Sequence, residues 1–113
     1  MNAVLQDPNG MIPGARVGEF EAEVAAFMGK KHGVMVNSGS SALMIAMRLL
    51  NLPQGSEVIT PALTFSTDVA TIYQAGYTPV FIDVGLDSYQ MIADRVEDVV
   101  TENTRAMLVP DLV

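Results

Sequence analysis

The sequence predicts an α/β fold, a three-layer sandwich with helices on both faces of a parallel sheet. Three observations carry that prediction. Four short apolar runs, at residues 33–36, 57–60, 79–83 and 105–109, read as strands. Segments with helical spacing or helix-favouring composition lie between them. Turn-forming residues, Gly29, Pro53-Gln54-Gly55-Ser56 and Gly76, separate the two kinds.

The elements follow in order. Residues 1–15 carry Asp7-Pro8-Asn9-Gly10 and Pro13-Gly14, turn chemistry that marks an N-terminal extension ahead of a domain over 16–113. From Arg16 the pattern becomes helical, with Val17, Phe20, Val24 and Phe27 on one stripe. Glu19, Glu21 and Glu23 between them read as a solvated face, and Gly29 as the stop. Gly33-Val34-Met35-Val36 reads as a buried strand. Asn37-Ser38-Gly39-Ser40-Ser41 is a polar turn, and Ala42 to Leu50 a helix rich in Ala, Leu and Met. Glu57-Val58-Ile59-Thr60 is the second strand, followed by the loop Pro61-Ala62-Leu63-Thr64. Phe65 to Ala75 is a helix closed by Gly76 at its C′ position. Pro79 to Asp83 is the third strand. Asp94 to Val100 is a short helix with Val96, Val99 and Val100 on one side, and Arg105 to Val109 is the fourth strand. The chain stops at Asp111-Leu112-Val113, straight after a strand, so a truncated chain is expected.

Composition narrows the function. Half of the 113 residues are hydrophobic and 17% are charged, which argues against disorder. The longest unbroken apolar run, Ala42 to Met47, is too short to span a bilayer. Thirteen acids against six bases give a net charge of −7. That disfavours nucleic acid and anionic membrane surfaces as partners, since both require a basic face. There is no cysteine, hence no disulfide framework, no thiolate nucleophile and no Cys-based metal site. His32 is the sole histidine, so no multi-His metal site is expected. These features suit a cytoplasmic protein.

Ligands of parallel α/β sheets bind outside the carboxyl ends of the strands. Two segments sit at that rim, 37–41 and 61–65. Ser38-Gly39-Ser40-Ser41 leaves a strand and opens a helix. The first amides of a helix have no internal partner, and the dipole places partial positive charge there. Gly39 permits a tight turn and close approach, and the hydroxyls add donors, which together make a phosphate cup. A plain Ser N-cap after a glycine turn accounts for the same residues. Neither Gly-x-Gly-x-x-Gly nor Gly-x-x-x-x-Gly-Lys-Ser/Thr is present, so the common nucleotide motifs are not at work. Phe65 is an aromatic at the rim that can stack on a planar ligand. It reads equally as a helix-start phenylalanine packed on the core.

The remaining candidates have plainer readings. Met28, Met35, Met44, Met47 and Met107 are expected to fill gaps in the core. His32 is expected at the surface or an edge. Asp83 ends a strand at the rim and is expected to cap the next turn. Lys30 and Lys31 lie in the turn before the first predicted strand, away from the rim, a poor place for a catalytic amine.

Taken in series, several segments resemble one family. They are Val17-Gly18-Glu19-Phe20-Glu21, Gly29-Lys30-Lys31-His32 and Val36-Asn37-Ser38-Gly39-Ser40-Ser41-Ala42-Leu43. They continue with Glu57-Val58-Ile59-Thr60-Pro61-Ala62-Leu63-Thr64-Phe65, Ala75-Gly76-Tyr77-Thr78-Pro79-Val80-Phe81-Ile82-Asp83-Val84 and Thr104-Arg105-Ala106. From about Arg16 onward the chain resembles the N-terminal part of the large domain of the DegT/DnrJ/EryC1/StrS family. These are pyridoxal-phosphate (PLP)-dependent enzymes acting on nucleotide-linked keto sugars.

The resemblance implies the aspartate-aminotransferase-like fold, fold type I, with a mostly parallel sheet, a small C-terminal domain and a homodimer. It implies that Gly39, Ser40 and Ser41 hold the cofactor phosphate and that Phe65 stacks on its ring. It places no catalytic residue in this segment. The residue that forms the Schiff base lies beyond Val113, and neither Lys30 nor Lys31 matches it. Asp68 and Ala70 stand where the family often has threonine and asparagine, so a carboxylate changes the charge near the cofactor. Gly39-Ser40 replaces a common Gly-Thr and keeps the hydroxyl. The activity implied is a sugar aminotransferase, with glutamate as amino donor. Asn37-Ser38-Gly39-Ser40-Ser41 and Val109-Pro110-Asp111-Leu112-Val113 resemble the nucleotide-sugar 3-dehydratase branch of the same family, which is the second reading. A non-catalytic α/β interaction module is the third.

Overall fold

The computed structural model describes residues 14–111. The turn chemistry of residues 7–10, most of the expected 1–15 extension, and Leu112-Val113 lie outside the described residues. The chain divides into two compact units, Met1–Asn37 and Ser38–Val113.

In the first unit, helix α1 spans Ala15–Phe27. Its end is as the sequence predicts. Gly29 takes φ +64°, a left-handed conformation that glycine adopts without strain. The turn closes with Gly29 N–H donating to Ala26 O (3.0 Å) and Lys30 N–H to Ala25 O (2.7 Å). These two bonds satisfy carbonyls that the helix leaves open, in the Schellman arrangement.

The strand expected at residues 33–36 does not form. The segment has no regular secondary structure, no strand pairs with it among the described residues, and Val34 and Met35 are exposed. Apolar composition supplies strand propensity; the ladder needs a partner strand. The segment is instead laid against α1. Met35 N–H donates to Glu21 Oε1 (2.7 Å), so Glu21 is not simply part of a solvated face. At Gly33 a Cβ would lie 2.7 Å from Glu21 O, so only glycine lets the chain come this close. The core expected of the methionines is also narrower. Met47 is buried and Met44 half-buried, while Met28, Met35 and Met107 are exposed. His32 is exposed, as expected.

The second unit is a layered α/β structure. In chain order it contains α2 (Gly39–Leu49), β1 (Glu57–Pro61), α3 (Ser66–Gln74) and β2 (Thr78–Ile82). A 3-10 turn (Ala93–Arg95), the short α4 (Val96–Val99) and β3 (Thr104–Met107) follow. The three strands are parallel, in the order β2-β1-β3. The strands and helices read from the sequence over 39–107 are thus present, with ends moved by a few residues.

β1 is the central strand and is buried from Val58 to Pro61. Alternation turns Val58 and Thr60 to one face and Ile59 to the other. Val58 packs with Met47 of α2, Ile72 of α3 and Tyr77, so α2 and α3 cover that face. The β2–β3 connection, carrying α4, runs back in the opposite direction; a right-handed crossover then places it on the other face.

Local chemistry fixes the joints. α3 ends at Gly76, with φ +85°. Gly76 N–H donates to Tyr73 O (3.0 Å) and Tyr77 N–H to Ile72 O (3.1 Å), and the Tyr77–Ile72 contact completes the motif. The Tyr77 hydroxyl, inside the core, accepts from Leu52 N–H (3.0 Å) and ties the chain after α2 to the start of β2. The Glu57 carboxylate accepts from the hydroxyls of Thr101 and Thr104, joining β1 to the turn before β3. No helix among the described residues is long and apolar enough to cross a membrane.

Candidate functional site

The topology of the second unit brings two helix starts to one rim. α2 runs antiparallel to β1, which follows it, so its N-terminus lies at the carboxyl end of the strand. α3 follows β1 directly, so its N-terminus lies at the same end. A groove of 220 Å³ joins them, lined by Ser40, Ser41 and Met44 of α2 and by Thr67, Thr71 and Gln74 of α3.

At the start of α2, Ser38 is the N-cap, and its Oγ accepts from Ser41 N–H at 3.1 Å. The Ser38 hydroxyl also donates to Ser41 Oγ (3.1 Å). The plain capping reading is therefore correct as far as it goes. It engages the Ser41 amide only. Among the described residues nothing accepts from the amides of Gly39 and Ser40, and the first turn holds no acid. An anion at this point meets two amides, the dipole and the exposed Ser40 hydroxyl.

Gly39 differs from expectation in one respect. It does not occupy the left-handed region, so the turn does not need a glycine. A Cβ there would meet nothing within 4 Å. What glycine leaves open at Gly39 is the space above its amide.

At the start of α3, Phe65 is the N-cap residue, with extended backbone and no side-chain capping bond. Its side chain is 61% exposed, so it is not the core phenylalanine that the plainer reading supposes. The residues around it are tied to one another instead. Thr64 Oγ1 donates to Asp68 Oδ2, Asp68 N–H donates to Phe65 O (3.0 Å), and Thr71 Oγ1 donates to Asp68 O (3.0 Å). Asp68 is 2% exposed. The sequence flags Asp68 only as a charge; its pairing with Thr64 does not match the capping-box spacing and has no sequence signal of that kind.

Other expectations resolve more simply. Asp83 meets the next turn through its backbone carbonyl, which accepts from Ile92 N–H (3.1 Å). Its exposed carboxylate instead edges a cavity of 260 Å³ shared with Ala62, Arg95 and Val99. Among the described residues no cluster of three or more His, Cys, Asp or Glu is arranged to hold a metal.

Known proteins place the chain. The model of the DegT/DnrJ/EryC1/StrS aminotransferase family matches residues 1–113. The spore coat polysaccharide biosynthesis protein SpsC of Bacillus subtilis is 42% identical over 95 residues, covering 84% of this chain and 24% of that protein. A UDP-N-acetyl-3-dehydro-alpha-D-glucosamine 3-aminotransferase of Acidithiobacillus ferrooxidans is 39% identical over 104 residues, covering 92% of this chain and 28% of that protein. Among solved structures, the E. coli GDP-4-keto-6-deoxy-D-mannose-3-dehydratase with bound hydrated PLP superposes with a TM-score of 0.82 at 27% identity, covering 94% of this chain and 29% of that one. The chain thus spans about a quarter of the length of the curated relatives it matches. Its parallel α/β fold is that of the PLP-dependent sugar aminotransferases, of whose length it covers a part. The chain belongs to the DegT/DnrJ/EryC1/StrS aminotransferase family.

Proposed function

We propose that this segment is the cofactor-holding part of a PLP-dependent aminotransferase that acts on a nucleotide-linked keto sugar, with glutamate as the amino donor. The observation that carries the reading is the acid-free, partly uncapped N-terminus of α2, which shares a groove with α3, the helix that the exposed Phe65 opens. Gly39 and Ser40 amides and the Ser40 hydroxyl receive the phosphate, and Ser41 seats the turn through its bonds to Ser38. An anion held by a helix N-terminus gains up to about 2 kcal/mol in partly buried geometry. Phe65 presents a flat apolar surface to the ring, and such stacking contributes about 0.5–1.5 kcal/mol. The donor set fits a phosphorylated, planar, aromatic group. When bound, PLP supplies the electron sink for moving an amino group. The residues of this segment bind and orient; none is placed to transfer a proton, and the 113 residues by themselves are expected to turn nothing over.

The second reading is a nucleotide-sugar 3-dehydratase. It is favoured by the likeness to the E. coli dehydratase over 94% of the chain. Both readings place the protein in the cytoplasm as a homodimer, without nucleic-acid or membrane partners.

The test uses the protein expressed from its complete gene. It is titrated with PLP, then given glutamate and a nucleotide-linked 4-keto sugar. Saturable PLP binding with an amino sugar as product supports the aminotransferase. PLP binding with loss of the sugar 3-hydroxyl supports the dehydratase. No PLP binding contradicts both and leaves the interaction module.

A further inference from the structure

Phe65 is an exposed aromatic at the rim. Its ring is 61% exposed, and it makes no side-chain capping bond. The loop that carries it is anchored at its start, where Ala62 N–H donates to Ile82 O (2.8 Å). At its end the anchor is Asp68. The Asp68 carboxylate accepts from the Thr64 hydroxyl on one side of Phe65, and its amide donates to the Phe65 carbonyl. One residue thus brackets Phe65 through both its side chain and its backbone.

The burial of Asp68 sharpens the point. A carboxylate that is 2% exposed loses most of its hydration, a cost that an apolar residue of similar size avoids. The compensation comes from the Thr64 hydroxyl and from the dipole of α3, whose first turn holds Asp68. Core packing alone gains nothing from a charge here. The side-chain partner of this carboxylate lies in the loop, immediately before the aromatic.

We propose that Asp68 is a positioning residue, holding the Thr64–Phe65 backbone so that the Phe65 ring presents a fixed face to the cofactor. The inference rests on the reading that Phe65 stacks on PLP. It assigns Asp68 no contact with the cofactor: it acts through the loop.

The test measures PLP affinity and the induced circular dichroism of bound PLP in the protein expressed from its complete gene. Losing a hydrogen bond to a charged group translates into roughly tenfold weaker binding for D68A and for T64V. The T64V/D68A double variant is expected to be no weaker than either single one, with the dichroism reduced in all three. D68N keeps an acceptor for Thr64 and is expected to restore both readouts. In an F65A background, D68A is expected to add nothing.

Unchanged affinity and dichroism in D68A would overturn the proposal. So would an equal loss from D68A with and without Phe65, because Asp68 would then act by another route. D68N behaving as D68A would also overturn it, since charge rather than positioning would be at work. If D68A does not fold, T64V, alone and with F65A, decides on the same readouts. Failure of the wild-type protein to bind PLP is a distinct result. It removes the functional reading, and this proposal with it.

Discussion

The two helix starts at the rim use the same backbone physics in opposite ways. α2 begins with small neutral residues, Ser38 to Ser41, and its first turn carries no acid. α3 begins at an uncapped aromatic, and its first turn carries a buried carboxylate. Both helices present amides and a positive dipole end to the same side of the sheet. At α3 Asp68 already answers that charge. At α2 one serine caps one amide, and the rest is left for an anion from outside. The difference sets an expectation for where a phosphate would go: to the N-terminus that the chain has not neutralised.

The largest effect is expected from making the first start resemble the second. Ser40→Asp places a carboxylate in the first turn of α2, where it repels a phosphate and occupies the dipole. PLP affinity is expected to fall about a hundredfold, equivalent to roughly 2–3 kcal/mol, while thermal stability holds or rises slightly. A titration with PLP and a melting curve on one sample check both halves.

Gly39→Val comes next. The new side chain has room in the folded protein, since a Cβ there meets nothing within 4 Å. It covers the amide instead. Cofactor affinity is expected to drop about tenfold with the fold intact, consistent with loss of one charge-assisted hydrogen bond. Unchanged affinity would mean that the phosphate does not approach this amide.

Ser38→Ala separates capping from binding. It removes the bond from Ser41 N–H to Ser38 Oγ, and the expected cost is about 1 kcal/mol of stability. The effect on PLP is expected to be smaller than that of Gly39→Val, because the Gly39 and Ser40 amides are untouched. A reversed order of the two effects would show that the cap, not the open amides, determines binding.

Tyr77→Phe is the control away from the rim. It deprives Leu52 N–H of its partner and is expected to cost about 1 kcal/mol in denaturant unfolding, with no change in PLP affinity.

The parts of this account that were legible in the sequence are the local ones. Gly29 and Gly76 stop their helices because the left-handed residue after a helix is a local requirement. Apolar runs over residues 57–107 report β1, β2 and β3 because a strand places apolar residues on whichever face meets the core. The helix start at Ser38–Ser41 was legible because it is short and its cap is a local bond. Residues 33–36 misled because pairing is not local: Val34 and Met35 have strand composition and no neighbour to pair with among the described residues. The exposed Met28, Met35 and Met107 show the same limit, since residue type does not say what will cover it. Phe65 reads from sequence as core or platform, because residue type does not give its exposure. The role of Asp68 stayed hidden because burial turns a charge from a surface feature into a structural one.

The start of α2, rather than that of α3, is the expected seat of the cofactor phosphate. The most direct measurement is a PLP titration of the isotopically labelled protein, expressed from its complete gene and followed by the backbone amide resonances. Saturable shifts, with protection from exchange, are expected at Gly39 and Ser40, and smaller changes at Ser66 and Thr67. Binding that shifts Ser66 and Thr67 while leaving Gly39 and Ser40 in place would contradict that assignment.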